Sequence, residues 1–137
     1  MTRLIPAAVL AAALVAATGC GAKKVGISGT VTRAGEKLTW PDGGWLLVIY
    51  VPEDRTRDPA VYKATADIKT STYTVAAIPS GRYKVAVQQF DPNHMDALGG
   101  AYDPGHTTIE KEVTGDGQVI DIDVPKDVPS PKKGKRE

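Results

Sequence analysis

Cysteine is almost missing from this chain of 137 residues: Cys20 is the only one, so no disulfide can close within one copy. Hydrophobic packing and sheet hydrogen bonding must therefore carry the stability. Histidine is nearly as scarce, with His94 and His106 alone, and no glutamate stands in ligand spacing beside either. That excludes the spaced His and Glu ligands of a zinc peptidase. No segment shows helical periodicity, which excludes a bundle. Charge of either sign is not in excess, the formal total being +1. The body holds more acids than bases and its bases gather at the two ends, so nucleic acid is not an expected partner. Long apolar runs are limited to Leu4 to Ala17, which is shorter than the roughly 20 residues of a membrane-spanning helix.

What is present begins at that run. Arg3 supplies a positive start, Leu4 to Ala17 an apolar stretch, and Thr18 and Gly19 small residues ahead of Cys20, the three zones of a secretory signal. The segment resembles the lipobox of bacterial lipoproteins, with Ala17 where that family usually carries leucine. The resemblance implies that residues 1–19 are removed and that the Cys20 thiol carries a diacylglyceryl group. With the further acyl chains of the family, palmitate among them, it would be anchored in a membrane. Gly21 in place of aspartate implies sorting to the outer membrane, facing the periplasm or the surface. An ordinary secreted protein cut near Ala17 is the alternative, and it would expose an unpaired thiol to oxidation. Just under 120 residues remain after the cut, enough for one domain with a modest core. Residues 20–24 form a short linker, 25–124 the domain, and 125–137 a basic tail whose prolines and lysines cannot bury enough surface to fold. Lys132, Lys133, Lys135 and Arg136 in that tail are either solvated or touch an anionic surface.

Period-two alternation dominates from Val25 onward, the pattern of strands with one face on a core. It predicts strands at Val25 to Val31, Trp45 to Val51, Tyr62 to Ile68, Tyr73 to Ala77, Arg82 to Phe90, Ile109 to Val113 and Ile120 to Val124. Trp45 to Val51 is apolar without a break, as in a central strand covered on both faces. Pro79-Ser80-Gly81 is a tight turn that should leave its two flanking strands paired or adjacent. Thr114-Gly115-Asp116-Gly117 should close a terminal hairpin. The fold class is all-β, a single seven-stranded Greek-key β-sandwich, with a closed barrel as the lesser option.

Gly29-Thr30-Val31 together with Tyr73-Thr74-Val75-Ala76-Ala77-Ile78-Pro79-Ser80-Gly81-Arg82-Tyr83-Lys84-Val85 resembles the carboxypeptidase regulatory-like modules. These are transthyretin-like or prealbumin-like sandwiches, marked by an opening G-x-V, an I-P-x-G turn and a strand beginning Y-x-V. Ala101-Tyr102-Asp103-Pro104 is similar to small lipid-anchored members of the group, and the likeness spans residues 25–124. It implies a prealbumin-like fold, Tyr83 packed where the chain crosses between sheets, and a non-enzymatic accessory or protein-interaction module. No catalytic residue and no cofactor carries over. The Lys–Asn self-welding of related pilin-type modules needs an asparagine in the last strand, whereas the one asparagine, Asn93, falls in a loop.

Candidate sites lie in the loops. Residues 91–106 form the longest irregular segment and gather both histidines with several carboxylates. His94 and His106 with Asp103, or with Asp91 or Asp96, suit a transition metal, and equally suit plain solvation. Trp40 and Tyr102 are candidate ligand-contacting rings, since exposed aromatics stack on sugars or on protein partners. Trp45, at the head of an apolar strand, reads rather as core. The expected partners are a membrane through the N-terminal lipid and an envelope protein or glycan; a carbohydrate- or metal-binding sandwich is the alternative.

Overall fold

A computed structural model describes residues 23–38 and 42–126. The signal segment with Cys20, Trp40, and the tail from residue 127 lie outside the described residues. Within them the chain is all strands and turns, with no helix. The strands are β1 (Lys24–Arg33), β2 (Glu36–Lys37), β3 (Trp45–Pro52), β4 (Tyr62–Ala66), β5 (Thr72–Pro79), β6 (Gly81–Phe90), β7 (Glu110–Val113), β8 (Gln118–Val119) and β9 (Ile122–Val124). Nine segments stand where seven were expected. The chain reverses at Ala34 and Gly35, both at positive φ, to lay the short β2 on β1, and the last predicted strand is interrupted at Ile120 and Asp121.

Two sheets result. One is antiparallel throughout, in the order β4-β3-β6-β7. The other is centred on β1, which pairs antiparallel with β5 and β2 and parallel with β8 and β9. Alternation supplies one apolar face from each. Ile27, Val31, Tyr73 and Ile122 of the first strands and the last join Leu46, Val48, Val85 and Val87 in a single core cluster. Each fully buried aliphatic side chain of this kind stabilises the fold by about 1.5–3 kcal/mol.

Both expected hairpins are replaced by crossings between sheets. β5 ends at Pro79 in the β1 sheet and β6 starts at Gly81 in the other, so the two strands neither pair nor adjoin. Tyr83, buried as the resemblance implies, donates from its hydroxyl to the Pro79 carbonyl at 2.6 Å and fastens this corner. The Thr114–Gly117 turn likewise carries the chain away from β7, which pairs with β6, to β8 beside β1. There the Asp116 carboxylate accepts from the Gly26 amide at 2.8 Å and the Gly117 amide donates to the Gly26 carbonyl at 2.8 Å. These long-range bonds set the chain end beside β1, from where Ile120, Ile122 and Val124 enter the core.

β3 also departs from expectation. It is central in its sheet, but only Leu46, Val48 and Tyr50 point into the core cluster. Trp45, Leu47, Ile49 and Val51 alternate onto the opposite face, where neither the other sheet nor any helix of the described residues lies. That second side is nevertheless part-covered: Ile49 is buried, and His94 packs on Trp45.

Candidate functional site

The loop of residues 91–109 is folded against β6 rather than standing free. The Val87 amide donates to the Tyr102 carbonyl at 2.9 Å, the Val85 amide to Ile109 at 2.8 Å, and the Thr107 hydroxyl to the Val85 carbonyl at 2.6 Å. Leu98 and Tyr102 enter the core. Tyr102 is only 3% exposed and offers no ring to a surface ligand. The carboxylates shape backbone turns. Asp91 accepts from the Asn93 and Met95 amides at 2.8 and 2.9 Å, and Asp96 from those of Gln89, Leu98 and Gly100 at 3.0–3.1 Å. Asp103 accepts from the Gly105 and His106 amides and lies 2.8 Å from His106 Nδ1. Of the three metal candidates the structure therefore brings Asp103 and His106 together. His94 packs instead on Trp45, edge to face, with centroids 5.0 Å apart. Among the described residues no group of three or more His, Cys, Asp or Glu side chains is placed to hold a metal ion.

At the end of the sandwich where β1 begins, a groove of about 800 Å³ runs between the β3–β4 loop and the Pro79–Gly81 corner. Tyr62 and Tyr83 form part of its wall, with Lys24, Asp58 and Arg82 around them. The Tyr62 hydroxyl donates to Asp58 at 2.6 Å. Desolvation first, then this carboxylate, pushes the Tyr62 hydroxyl up to about 12, and desolvation raises Tyr83 to about 12 as well. Both phenols hold their protons at neutral pH, so neither is a ready nucleophile or base.

The surface that stands out lies elsewhere, on the outer face of the β4-β3-β6-β7 sheet. Strand register sets Trp45 beside Phe90, Leu47 beside Gln88 and Ile49 beside Ala86. The Trp45 and Phe90 rings stack with centroids 5.2 Å apart, an arrangement that favours offset contact between the ring quadrupoles. Trp45, Leu47, Val51 and Phe90 are half-buried, while Ile49 and Ala86 at the centre of the face are buried although they belong to no part of the sandwich core. Exposed Lys63, Thr65 and Lys84 border the apolar strip. The strip is thus apolar, part-buried and bordered by polar residues.

The sequence held a signal for this face. An unbroken apolar run in an antiparallel sheet of a two-layer fold leaves one side bare, since only the parallel layers of α/β proteins are covered twice. Trp45, assigned to the core from its strand, belongs to this outer face. Comparison with family models, with curated proteins and with solved structures finds no match to this chain.

Proposed function

We propose that this chain is a non-enzymatic interaction module of the bacterial cell envelope, tethered to a membrane by acyl chains on Cys20. In this reading it engages a protein through the outer face of the β4-β3-β6-β7 sheet. The observation that carries it is the half-buried apolar row of Trp45, Leu47, Val51 and Phe90 on the outer face of that sheet, away from the core cluster. The finer fold assignment, a prealbumin-like Greek-key sandwich, belongs to the same reading. It is supported by the fastened corner at Pro79 and Tyr83 and by the tight packing at Gly29.

Crosslinking in intact cells tests the function. The adduct formed by the wild-type chain is expected to be lost in Leu47→Lys, whose circular dichroism stays native, and to be weakened in Cys20→Ala, which releases the tether. Adducts unchanged by Leu47→Lys would overturn the reading. A carbohydrate reading has one observation in its favour, the clustered rings of Trp45, Phe90 and His94. It requires retention on insoluble glycan that disappears in Phe90→Ala.

A further inference from the structure

The groove between the β3–β4 loop and the Pro79–Gly81 corner has walls of different chemistry. On the corner side, Lys24 stands level with Pro79 in the pairing of β1 with β5, and Arg82 follows the corner on β6. Neither makes an ion pair among the described residues, although Arg82 is level with Glu112 of β7. The exposed Ser80 lines the same wall. On the loop side, the Asp58 carboxylate accepts from the Tyr62 hydroxyl at 2.6 Å and from the Ala60 amide at 3.1 Å, which holds it beside a half-buried ring. Glu53, whose amide donates to the Arg82 carbonyl at 3.0 Å, stands where the walls meet. The other two charges offset each other: Asp54 accepts from the Thr56 amide and hydroxyl, and Arg57 acts on its charge. Basic and acidic side chains therefore line the groove in equal number.

That balance selects the ligand. A lone anion meets Glu53 and Asp58, and a lone cation meets Lys24 and Arg82, whereas a zwitterion satisfies both walls. Arginine, lysine and a hydroxyl suit a phosphate diester. A carboxylate joined to a tyrosine suits a primary ammonium, which donates to the oxygens and is drawn to the ring. A trimethylammonium has no such donors. The volume of about 800 Å³ is that of a small-molecule site, and six charged side chains make an acyl chain a poor occupant. Position on the molecule says where the zwitterion comes from. Cys20 lies four residues before Lys24, so a lipidated Cys20 keeps this end within about 14 Å of the bilayer surface.

We propose that this groove binds the headgroup of phosphatidylethanolamine, with the phosphate between Lys24 and Arg82 and the ammonium against Asp58 and Tyr62. The step rests on the tether of the reading above and adds a site to it. An acyl anchor fixes the chain at one point and leaves the domain free to swing. A headgroup in the groove adds a second point, and the tether makes even a weak site effective by holding it among its ligands. The sandwich then stands end-on, with the outer face of the β4-β3-β6-β7 sheet turned sideways and open to a partner.

The groove is tested first without the tether. The Cys20→Ala chain is titrated with glycerophosphoethanolamine, the headgroup stripped of its acyl chains, and followed by amide chemical shifts. Saturable shifts are expected at residues 24, 58–62 and 80–82, with a dissociation constant on the order of 1 mM. Arg82→Ala, and Asp58→Asn, which keeps an acceptor for Tyr62, should each weaken binding about fivefold or more, with circular dichroism confirming the fold. Glycerophosphocholine should bind more weakly by a similar factor. The lipid itself is tested with the acylated full chain in phosphatidylcholine vesicles containing phosphatidylethanolamine, treated with a carbodiimide that couples the lipid amine to a carboxylate. Asp58 or Glu53 should carry the lipid, and Arg82→Ala, which leaves both carboxylates in place, should cut that labelling. If the chain made in cells bears no acyl group yet binds the headgroup in this way, the tether is wrong and the groove is upheld. No saturable shift at the groove, equal binding of glycerol phosphate without the ammonium, or lipid coupled evenly to carboxylates all over the domain overturns the inference.

Discussion

At Gly29 a side chain has nowhere to go. A Cβ placed there would stand 1.9 Å from the Ile120 carbonyl oxygen and 3.1 Å from a ring carbon of Tyr73. The closeness has a use: the Tyr73 hydroxyl donates to that same Ile120 oxygen at 2.6 Å, inside the core. Because Tyr73 has one proton and Ile120 only accepts, the 2.6 Å contact between the Tyr50 and Tyr73 hydroxyls must have Tyr50 as donor. One glycine thus lets the chain end approach closely enough to satisfy a buried tyrosine pair. Gly29→Ala should push the Ile120 backbone away and cost about 3 kcal/mol or more, read as a fall in thermal midpoint of roughly 10 °C or greater. A midpoint within a few degrees of wild type would count against the close approach. The G-x-V pattern showed in the sequence that this position mattered. The colliding atom, 91 residues away, could not be read there because no local rule links Gly29 to Ile120.

The C-terminal strand is held by carboxylates as much as by its backbone. Between β8 and β9 the Ile120 carbonyl is taken by Tyr73, and the amide of Thr30 on β1 turns to the Asp121 carboxylate at 2.9 Å, joined by the Thr30 hydroxyl at 2.7 Å. Asp123 accepts from the Thr32 hydroxyl at 2.7 Å and from the Gly35 amide at 2.8 Å. The hydrogen bonds from Thr30 hold Asp121 below the usual carboxylate range, and those from Gly35 and Thr32 do the same for Asp123. A carboxyl whose folded value is lowered contributes stability that is complete above its unfolded value and disappears as pH falls through the folded one. Acid below about pH 4 should therefore loosen this strand. Hydrogen exchange at the Thr30 and Gly35 amides should rise relative to the base-corrected rate, and Asp121→Asn, which keeps an acceptor but does not titrate, should blunt the response at Thr30. Equal acid sensitivity in that variant would remove Asp121 from the explanation. The alternation of Ile120, Ile122 and Val124 with aspartates gave away the strand and its inward face. It gave the aspartates no partner, because nothing in the pattern shows that β1 lies alongside with its threonine hydroxyls and amides.

For the molecule as a whole, four of the tyrosines form a continuous train. Tyr62 meets Tyr83 with centroids 6.2 Å apart, Tyr83 meets Tyr50 at 5.7 Å, and Tyr50 meets Tyr73 at 6.2 Å, so the train runs from the groove across the core between the two sheets. Burial pushes Tyr50 up to about 12, against the smaller opposing effect of its bond to Tyr73, and burial raises Tyr73 further. A raised folded value means stability that is intact below the unfolded value, near 10, and lost as pH climbs toward the folded one. Thermal stability should hold to about pH 10 and then fall, with tyrosinate absorbance appearing together with unfolding. Tyr50→Phe should cost about 1 kcal/mol at neutral pH and flatten the alkaline fall. Ionisation of all the tyrosines before unfolding would contradict the burial of the train. The all-strand character, the positions of the strands and the inward side of Tyr83 were legible in the alternation, whereas its place at the corner was implied only by the resemblance. The division into sheets was not legible in the alternation. Period two says which side of a strand is buried, and it is silent on which strands are neighbours, so two crossings looked like hairpins. The parallel pairing of β1 with β9 has one more consequence. Lys24 and Val124 leave opposite ends of neighbouring strands, so a pull applied between them slides β1 along β9 and strains the whole row of bonds at once. A hairpin pulled at its two open ends would instead unzip one bond at a time. Tension between Lys24 and Val124 thus meets this pair in shear, the direction in which parallel strands resist most.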